Sequence, residues 1–254
     1  GLVIVGGLKR IASITEKLVP FMAAIYIVGG LFILLSNVAA IPGAFAVIFK
    51  NAFTGTAAVG GFAGAAMARS IRYGVARGVF TNEAGLGSAP IAHAAATTDH
   101  PVRQGLWGIF EVFADTIVIC SITALAIVTT GVWETGESGA VLTTLAFNTA
   151  IPGGGIIVTV GLILFAYSTI LGWAYYGERC LEYLAGTKPI LAYRLLWSVF
   201  IVIGAVGGLE FVWSLADTLN GLMAIPNLIG VLFLSGTVVK LTKEFFAQQK
   251  GESK

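Results

Sequence analysis

The chain is dominated by long apolar stretches that are separated by short polar segments. A helix needs about 20 apolar residues to cross a hydrocarbon core of roughly 30 Å, and stretches of about that length recur through the sequence. They are too long for β-strands and show no strict alternation of apolar and polar residues. The sequence therefore predicts an all-α membrane protein with about six spans, over residues 18–41, 78–96, 105–130, 153–176, 190–209 and 215–239.

The composition agrees with a bilayer as the surrounding solvent. Of the 254 residues, 57% are hydrophobic and only 11% are charged, whereas an ordinary soluble domain carries about 25% charged residues. The net charge of +2 gives no indication of nucleic acid binding. No HExxH or Walker A motif is present, and Cys120 and Cys180 form no CxxC pair. A soluble enzyme, a nucleic-acid-binding protein and a disordered chain are therefore disfavoured, and no cofactor is expected.

The basic residues predict how the spans are oriented. Lysines and arginines lie before the first span, between the second and third, between the fourth and fifth, and after the sixth, whereas residues 131–152 contain Glu134 and Glu137 and no basic residue. Because cytoplasmic loops are enriched in Lys and Arg, we expect 131–152 outside and a cytoplasmic tail at 243–254. Residues 51–73 do not fit this alternation. A full membrane crossing there would place every later loop on the opposite side and invert the charge pattern. We interpret them as a re-entrant or surface hairpin.

The second predicted span is discontinuous. Its middle reads TNEAGLGSAP, in which two glycines and a proline should interrupt a helix. Non-helical backbone at membrane depth is tolerated where it is buried in protein or lines a cavity. Its free N–H groups suit a carboxylate and its free carbonyls suit a cation, which together predict a site for a zwitterionic amino acid at Thr81, Asn82, Gly85 and Gly87. A loop outside the membrane that merely starts a helix is the alternative.

Two carboxylates are candidates for coupling to a cation. Glu83 lies in the interruption, and Asp115 lies about 15 Å into the third span at 1.5 Å per residue. Ionisable groups inside the membrane are costly and mark functional sites by default. A structural ion pair is the alternative for each of them, with Arg77 for Glu83 and with a basic residue of a neighbouring helix for Asp115. Phe80, just before the interruption, is a weaker candidate for closing over a small substrate side chain.

Three long motifs resemble the alanine or glycine:cation symporter family. They are RYGVARGVFTNEAGLGSAPIAHAAA, GLWGIFEVFADTIVICSITALAIVTTG and FAYSTILGWAYYGERCLEYL, and the resemblance covers essentially the whole chain. It implies a LeuT-type transporter with two inverted repeats of five helices and Na⁺- or H⁺-coupled uptake of alanine or glycine. On this resemblance the first span corresponds to the fifth core helix and the other five spans to the second repeat. The first repeat would lie before Gly1, so a single but incomplete transporter domain is expected.

The same resemblance assigns roles on the fourth span, which looks like the eighth core helix. It implies Ser168 as a cation ligand and Thr169 and Trp173 as walls of the substrate pocket. Hydrogen bonding between helices is the alternative for these side chains. The expected function is sodium-coupled import of a small neutral amino acid by alternating access, in the plasma membrane. A channel-like or non-transporting remnant is the alternative, because the first repeat would be missing. The choices between alanine and glycine and between Na⁺ and H⁺ stay open.

Overall fold

A computed structural model of the chain describes residues 1–53 and 63–252. All regular secondary structure within these two ranges is helical. The α-helices are α1 (Leu2–Val5), α2 (Gly7–Ser36), α3 (Ile41–Phe53), α4 (Ala63–Asn82), α5 (Ala89–His93), α6 (Pro101–Val112), α7 (Cys120–Thr129), α8 (Gly139–Ala150), α9 (Gly155–Ala185), α10 (Ile190–Val206) and α11 (Leu209–Glu252). A π-helical segment, Phe113–Ile119, joins α6 to α7, and short 3-10 helices lie at Val38–Ala40 and Val132–Thr135.

Four of the described helical stretches are long and apolar enough to cross a membrane. They are Arg10–Ser36, Pro101–Thr129, Gly155–Ala185 and Phe211–Gln249, and they contain most of the first, third, fourth and sixth predicted spans. The prediction of an all-α membrane protein is therefore confirmed. The fifth predicted span is the apolar helix α10, which has 17 residues and is shorter than the roughly 20 that a perpendicular crossing needs. The LeuT-type arrangement stays a prediction.

Local side chains explain where several helices begin and end. The Asn37 side-chain amide donates to the carbonyl of Ile33 at 2.9 Å, where α2 ends. Asn148 Oδ1 accepts from the backbone N–H of Gly155 at 2.7 Å, at the start of α9. These side chains satisfy backbone groups that the end of a helix leaves without an intrahelical partner. Pro101 begins α6, at a position where the missing N–H of proline costs nothing.

The described chain divides into two units, which we describe separately. The first unit comprises Gly1–Tyr73 and Val118–Ile201, and the second comprises Gly74–Ile117 and Val202–Lys254. The third predicted span contributes to both, since α6 belongs to the second unit and α7 to the first. That the whole chain acts as one transporter domain stays a prediction.

The core of the first unit is formed by α2 packed against α7, α8 and α9. Its buried side chains centre on Tyr26, whose ring lies 5.5 Å from that of Phe147 and 6.0 Å from that of Phe165. The Tyr26 hydroxyl also hydrogen-bonds Thr123 Oγ1 at 2.7 Å. Gly30 lets α2 approach α7 closely, because a methyl group at this position would collide with Cγ2 of Ile122. Small residues that admit a neighbouring backbone are typical of membrane helix interfaces.

In the second unit, α6 packs against both α5 and α11. The apolar side chains of α11 are largely exposed, as at Leu232 (74%) and Phe233 (85%). Exposed apolar side chains on a helix of this length suit contact with lipid tails rather than water. The helix also continues into the predicted C-terminal tail, because it ends only at Glu252.

The predicted hairpin at 51–73 lies only partly within the described residues. Residues 54–62 are outside them, α3 ends at Phe53, and residues 63–73 form the first half of α4. Whether the segment enters the membrane as a hairpin stays a prediction. What is described is that one continuous helix leads from Ala63 to the interruption in the second span.

Candidate functional site

The helical interruption lies where the glycines and the proline predict it. Helix α4 ends at Asn82 and α5 begins at Ala89, and we refer to residues 83–88 between them as the break. Two residues of the break have left-handed backbone angles, Glu83 with φ +53° and Gly87 with φ +79°. The first is unusual, since this region costs a non-glycine residue about 1–2 kcal/mol. Helix α5 has only five residues, so the helix after the break is much shorter than the predicted span.

The break folds into a turn that uses its own N–H groups. The Gly85 N–H donates to Asn82 Oδ1 at 3.3 Å. The N–H groups of Leu86 and Gly87 both donate to the carbonyl oxygen of Glu83, at 3.0 and 3.1 Å. Our prediction treats these N–H groups as free to bind a substrate carboxylate, whereas in this structure each already has an acceptor. A carboxylate can bind them only if it replaces those acceptors.

Two carbonyls of the break are bound by a side chain that sequence reasoning missed. Asn227 of α11 donates from Nδ2 to the carbonyls of Ala84 and Gly85, at 2.9 and 3.0 Å. The sequence signal is a polar residue directly after Pro226, in the apolar middle part of the helix. Each of these carbonyls, which we expected to be available to a cation, therefore already accepts one hydrogen bond in this structure.

The carboxylate of Glu83 lies against Ser88 at the far end of the break. Ser88 Oγ donates to Glu83 Oε2 at 3.2 Å, and Ser88 is only 1% exposed. Arg77, the alternative partner for Glu83, binds the carboxylate of Asp217 with two nitrogens, at 2.8 and 3.3 Å. Its guanidinium carbon also lies 4.0 Å from the centre of the Trp213 ring.

Phe80 is placed beside that same aromatic ring. The ring centres of Phe80 and Trp213 are 6.2 Å apart, and the rings meet nearly edge to face. Phe80 therefore has an aromatic packing partner within the second unit, which is the commoner role of an aromatic side chain in an apolar helix. Its role as a lid over a substrate stays a prediction.

Asp115 is brought to the edge of the break by the π-helical segment. Thr81, in the last turn of α4, donates from Oγ1 to Asp115 Oδ2 at 2.7 Å. The neighbouring Thr116 Oγ1 is buried and has no hydrogen-bond partner among the described residues. Single π-helical turns inside α-helices frequently occur at functional sites. The structure thus joins a hydroxyl group of the second predicted span to a carboxylate of the third, and Thr116 is the residue that follows this carboxylate.

Glu111, one turn before Asp115, has a different environment. Its Oε2 lies 3.1 Å from Nε2 of His93, and Nδ1 of that ring lies 2.7 Å from Nε2 of Gln104. These contacts join α5, directly after the break, to α6. A spacing of four residues places Glu111 and Asp115 on one face of a regular α-helix, and in the structure the two carboxylates have different partners.

The predicted site residues on the fourth span belong to the first unit. Ser168 Oγ donates to the carbonyl of Phe165 at 3.0 Å and lies 3.9 Å from Met22 Sδ. Thr169 is exposed and Trp173 is partly buried. Hydrogen bonding within the helix and to a neighbouring helix is thus the observed role of the Ser168 hydroxyl. Cation binding by Ser168 and substrate contact by Thr169 and Trp173 stay predictions.

A buried ion pair in the first unit also escaped sequence reasoning. Glu178 of α9 is only 3% exposed, and Arg194 of α10 binds its two carboxylate oxygens at 2.7 and 2.8 Å. Arg179 adds a third bond to this carboxylate at 3.0 Å. Arg194 further donates to the carbonyl of Val5 at 2.9 Å. The pair therefore connects three separate parts of the first unit.

Comparison with known proteins agrees with the sequence resemblance. The family model described as "Sodium:alanine symporter family" matches residues 1–254. The chain is 53% identical over 256 residues to the sodium/alanine symporter AgcS of Methanococcus maripaludis, which covers 99% of the chain and 56% of that relative. It is 40% identical to the amino-acid carrier protein AlsT of Bacillus subtilis, over 98% of the chain and 53% of the relative. The sodium/proton-dependent alanine carrier protein of Bacillus sp. strain PS3 is 33% identical, over 98% of the chain and 60% of the relative. The chain thus spans little more than half the length of these relatives.

Proposed function

The chain belongs to the sodium:alanine symporter family, and from this premise we propose that it carries out sodium-coupled symport of a small neutral amino acid. The family consists of transporters rather than enzymes, and the apolar helices make the chain a multi-pass membrane protein. We propose alanine or glycine as the substrate, import by alternating access across the plasma membrane, and a LeuT-type arrangement of the helices. The relatives are named as symporters and carriers. Their names therefore favour transport over the alternative of a channel-like or non-transporting remnant.

The observation that carries the proposal is the hydrogen bond between Thr81 and Asp115 beside the break. A carboxylate at this position lies within a helical stretch apolar enough to cross a membrane, where an ionisable group is costly unless it has a partner or a function. Hard cations prefer oxygen ligands, and this part of the chain offers a carboxylate at Asp115 and hydroxyl groups at Thr81 and Thr116, of which the Thr116 hydroxyl has no hydrogen-bond partner among the described residues. We propose that Na⁺ is bound here, with Glu83 and Ser168 as further candidates for coupling.

The substrate is proposed to bind at the break itself. Its carboxylate would replace the Glu83 carbonyl as acceptor for the N–H groups of Leu86 and Gly87, because a charged acceptor forms the stronger hydrogen bond. Asn82, Gly85 and Phe80 would contact the rest of the amino acid. Thr169 and Trp173 stay candidates for contact with the substrate. This exchange of acceptors would link substrate binding to a change in the conformation of the turn.

Uptake of labelled alanine tests the proposal. The full chain is reconstituted in liposomes, and uptake is compared under an inward Na⁺ gradient, an inward H⁺ gradient and no gradient. We expect accumulation only with the Na⁺ gradient, and competition by unlabelled alanine or glycine but not by glutamine, whose side chain is larger. Accumulation without a gradient would refute coupling, and accumulation with the H⁺ gradient alone would refute Na⁺ as the coupling ion. Alanine and glycine are distinguished by their inhibition constants in the same assay.

A further inference from the structure

The amide of Asn227 joins α11 to the break. Its Nδ2 donates to the carbonyls of two consecutive residues, Ala84 and Gly85, at 2.9 and 3.0 Å. An amide nitrogen carries two hydrogens, so one group satisfies two carbonyls that the interrupted helix leaves without helical partners. In an apolar setting, carbonyls without a donor would be costly.

The backbone of the break is shaped to admit this side chain. A Cβ at Gly87 would lie 2.8 Å from Oδ1 and 2.9 Å from Cγ of Asn227, and Gly87 also has φ +79°. Only glycine meets both requirements without strain. On α11, Pro226 directly precedes Asn227. Proline has no N–H, so the helical hydrogen bond from this position to the carbonyl four residues earlier is missing. Asn227 therefore follows a point at which the α11 hydrogen-bond ladder is already incomplete.

A second contact joins the same two elements further along α11. Asp217 precedes Asn227 by ten residues, or about 15 Å along a helix, and it binds Arg77 of α4. The helix thus holds the segment at two places, once before the break and once within it. Of the two contacts, only the Asn227 contact involves the backbone of the break, where the proposed function places substrate binding.

We propose that Asn227 is a positioning residue for transport, which fixes the turn of the break by holding the carbonyls of Ala84 and Gly85. The proposal rests on the proposed function in that the break is taken to bind the substrate. The amide holds the turn in the geometry that presents the Leu86 and Gly87 N–H groups to one acceptor. Loss of the amide releases both carbonyls, loosens the turn and weakens substrate binding without removing a group that touches the substrate.

The substitution Asn227→Asp tests this with little change in shape. At neutral pH the carboxylate has no donor and faces two carbonyl oxygens, whereas the protonated carboxyl group has one O–H to donate. We expect the KM for alanine to rise about tenfold at pH 7.5 in both Asn227→Asp and Asn227→Ala. At pH 5, Asn227→Asp should recover towards the wild-type KM at that pH, and Asn227→Ala should not. Asn220→Asp, the same change seven residues earlier on α11, is the matched control and should show neither effect.

Hydrogen exchange of the backbone amides in a peptide over residues 80–92 supplies a readout that is independent of transport. In the purified full chain we expect the Gly85–Gly87 amides to exchange at least tenfold faster in Asn227→Asp than in the wild type at pH 7.5, and no change in Asn220→Asp. Faster exchange in a chain that takes up no alanine would support the positioning role while refuting the proposed function. Alanine uptake with unchanged exchange and unchanged KM in both Asn227 variants would overturn the positioning role alone.

Discussion

Thr81 and Asp115 show at the level of single residues how the break is tied to the third span. Each residue is an ordinary polar interruption of an apolar helix when taken alone. Together they form a short hydrogen bond of 2.7 Å from a hydroxyl to a carboxylate, and a bond to a charged acceptor is worth more than one between neutral groups. The threonine therefore fixes the carboxylate that we propose as a cation ligand.

The Thr81 hydroxyl is expected to be needed for sodium affinity. The substitution Thr81→Val removes the hydroxyl at nearly constant shape, whereas Thr81→Ser keeps it. Because a hydrogen bond to a charged group contributes about 1.5–3 kcal/mol, we expect Thr81→Val to raise the Na⁺ concentration for half-maximal alanine uptake about tenfold or more. Thr81→Ser should stay within a few-fold of the wild type. Equal sodium dependence in the two variants would contradict a role for the hydroxyl.

At the scale of helices, part of the break was predictable and part was not. Gly85, Gly87 and Pro90 indicate an interruption because each disfavours a helix through its own backbone, and the structure has the interruption there. The partners of the break carry no such local signal. Asn227 lies 142 and 143 positions after the carbonyls that it binds, and a side chain that binds backbone leaves no sequence pattern.

The π-helical segment Phe113–Ile119 shows a second limit of the sequence. Its sequence, FADTIVI, is that of an apolar helix with one acidic residue. A change from α to π spacing alters which residues share a face but not the apolar character of the stretch. Glu111 precedes the π-helical segment and Asp115 lies within it, so the α spacing that would put both on one face does not hold between them, and the two have different partners in the structure.

Close packing of α2 against α7 leads to a prediction about glycine. A methyl group at Gly30 would collide with Cγ2 of Ile122, and overpacking of this kind costs about 1–3 kcal/mol. We therefore expect Gly30→Ala to lower the thermal stability of the purified chain. The double variant Gly30→Ala with Ile122→Ala removes the colliding atom and should be more stable than the sum of the two single effects predicts.

A control glycine separates this collision from general effects of alanine in a helix. Gly43 of α3 has nothing within 4 Å of an added Cβ, so Gly43→Ala should be neutral or slightly stabilising. Equal changes in melting temperature for Gly30→Ala and Gly43→Ala, or additive effects at Gly30 and Ile122, would contradict a collision between these two side chains.

At the scale of the whole molecule, the Glu178–Arg194 pair connects parts of the first unit that are far apart in the sequence. The sequence indicates only that Arg179 and Arg194 lie on the cytoplasmic side of the membrane. The structure places both on helices and binds both to one buried carboxylate. Removing one partner of a buried pair leaves the other charge uncompensated, which costs about 3–5 kcal/mol.

The stability of the chain should therefore depend strongly on this pair. We expect Glu178→Gln to reduce folded yield and thermal stability in detergent far more than Asp99→Asn. Asp99 pairs with Arg103 at 2.9 Å, but both side chains are more than half exposed, and exposed pairs contribute about 0–1 kcal/mol. Similar losses in the two variants would show that the burial of Glu178 does not matter for stability.

The distribution of lysines and arginines predicts the orientation of the whole chain in the membrane. Residues 131–152 contain no lysine or arginine, whereas Lys240 and Lys243 lie near the end of α11, and Lys and Arg are retained on the cytoplasmic side. Glu137 and Gly251 should thus lie on opposite sides. Both positions are exposed in the structure, so a cysteine at either one can be labelled.

Labelling of single cysteines in intact cells tests this orientation. Cys120 and Cys180 are replaced by alanine, and Glu137→Cys or Gly251→Cys is added to that background. Because the positive-inside pattern places 131–152 outside, a membrane-impermeant maleimide should label Glu137→Cys in intact cells and Gly251→Cys only after permeabilisation. Labelling of Gly251→Cys alone in intact cells would invert the orientation. Labelling of both in intact cells would mean that an even number of crossings separates the two positions, and the short helix α10 would then be the segment that does not cross.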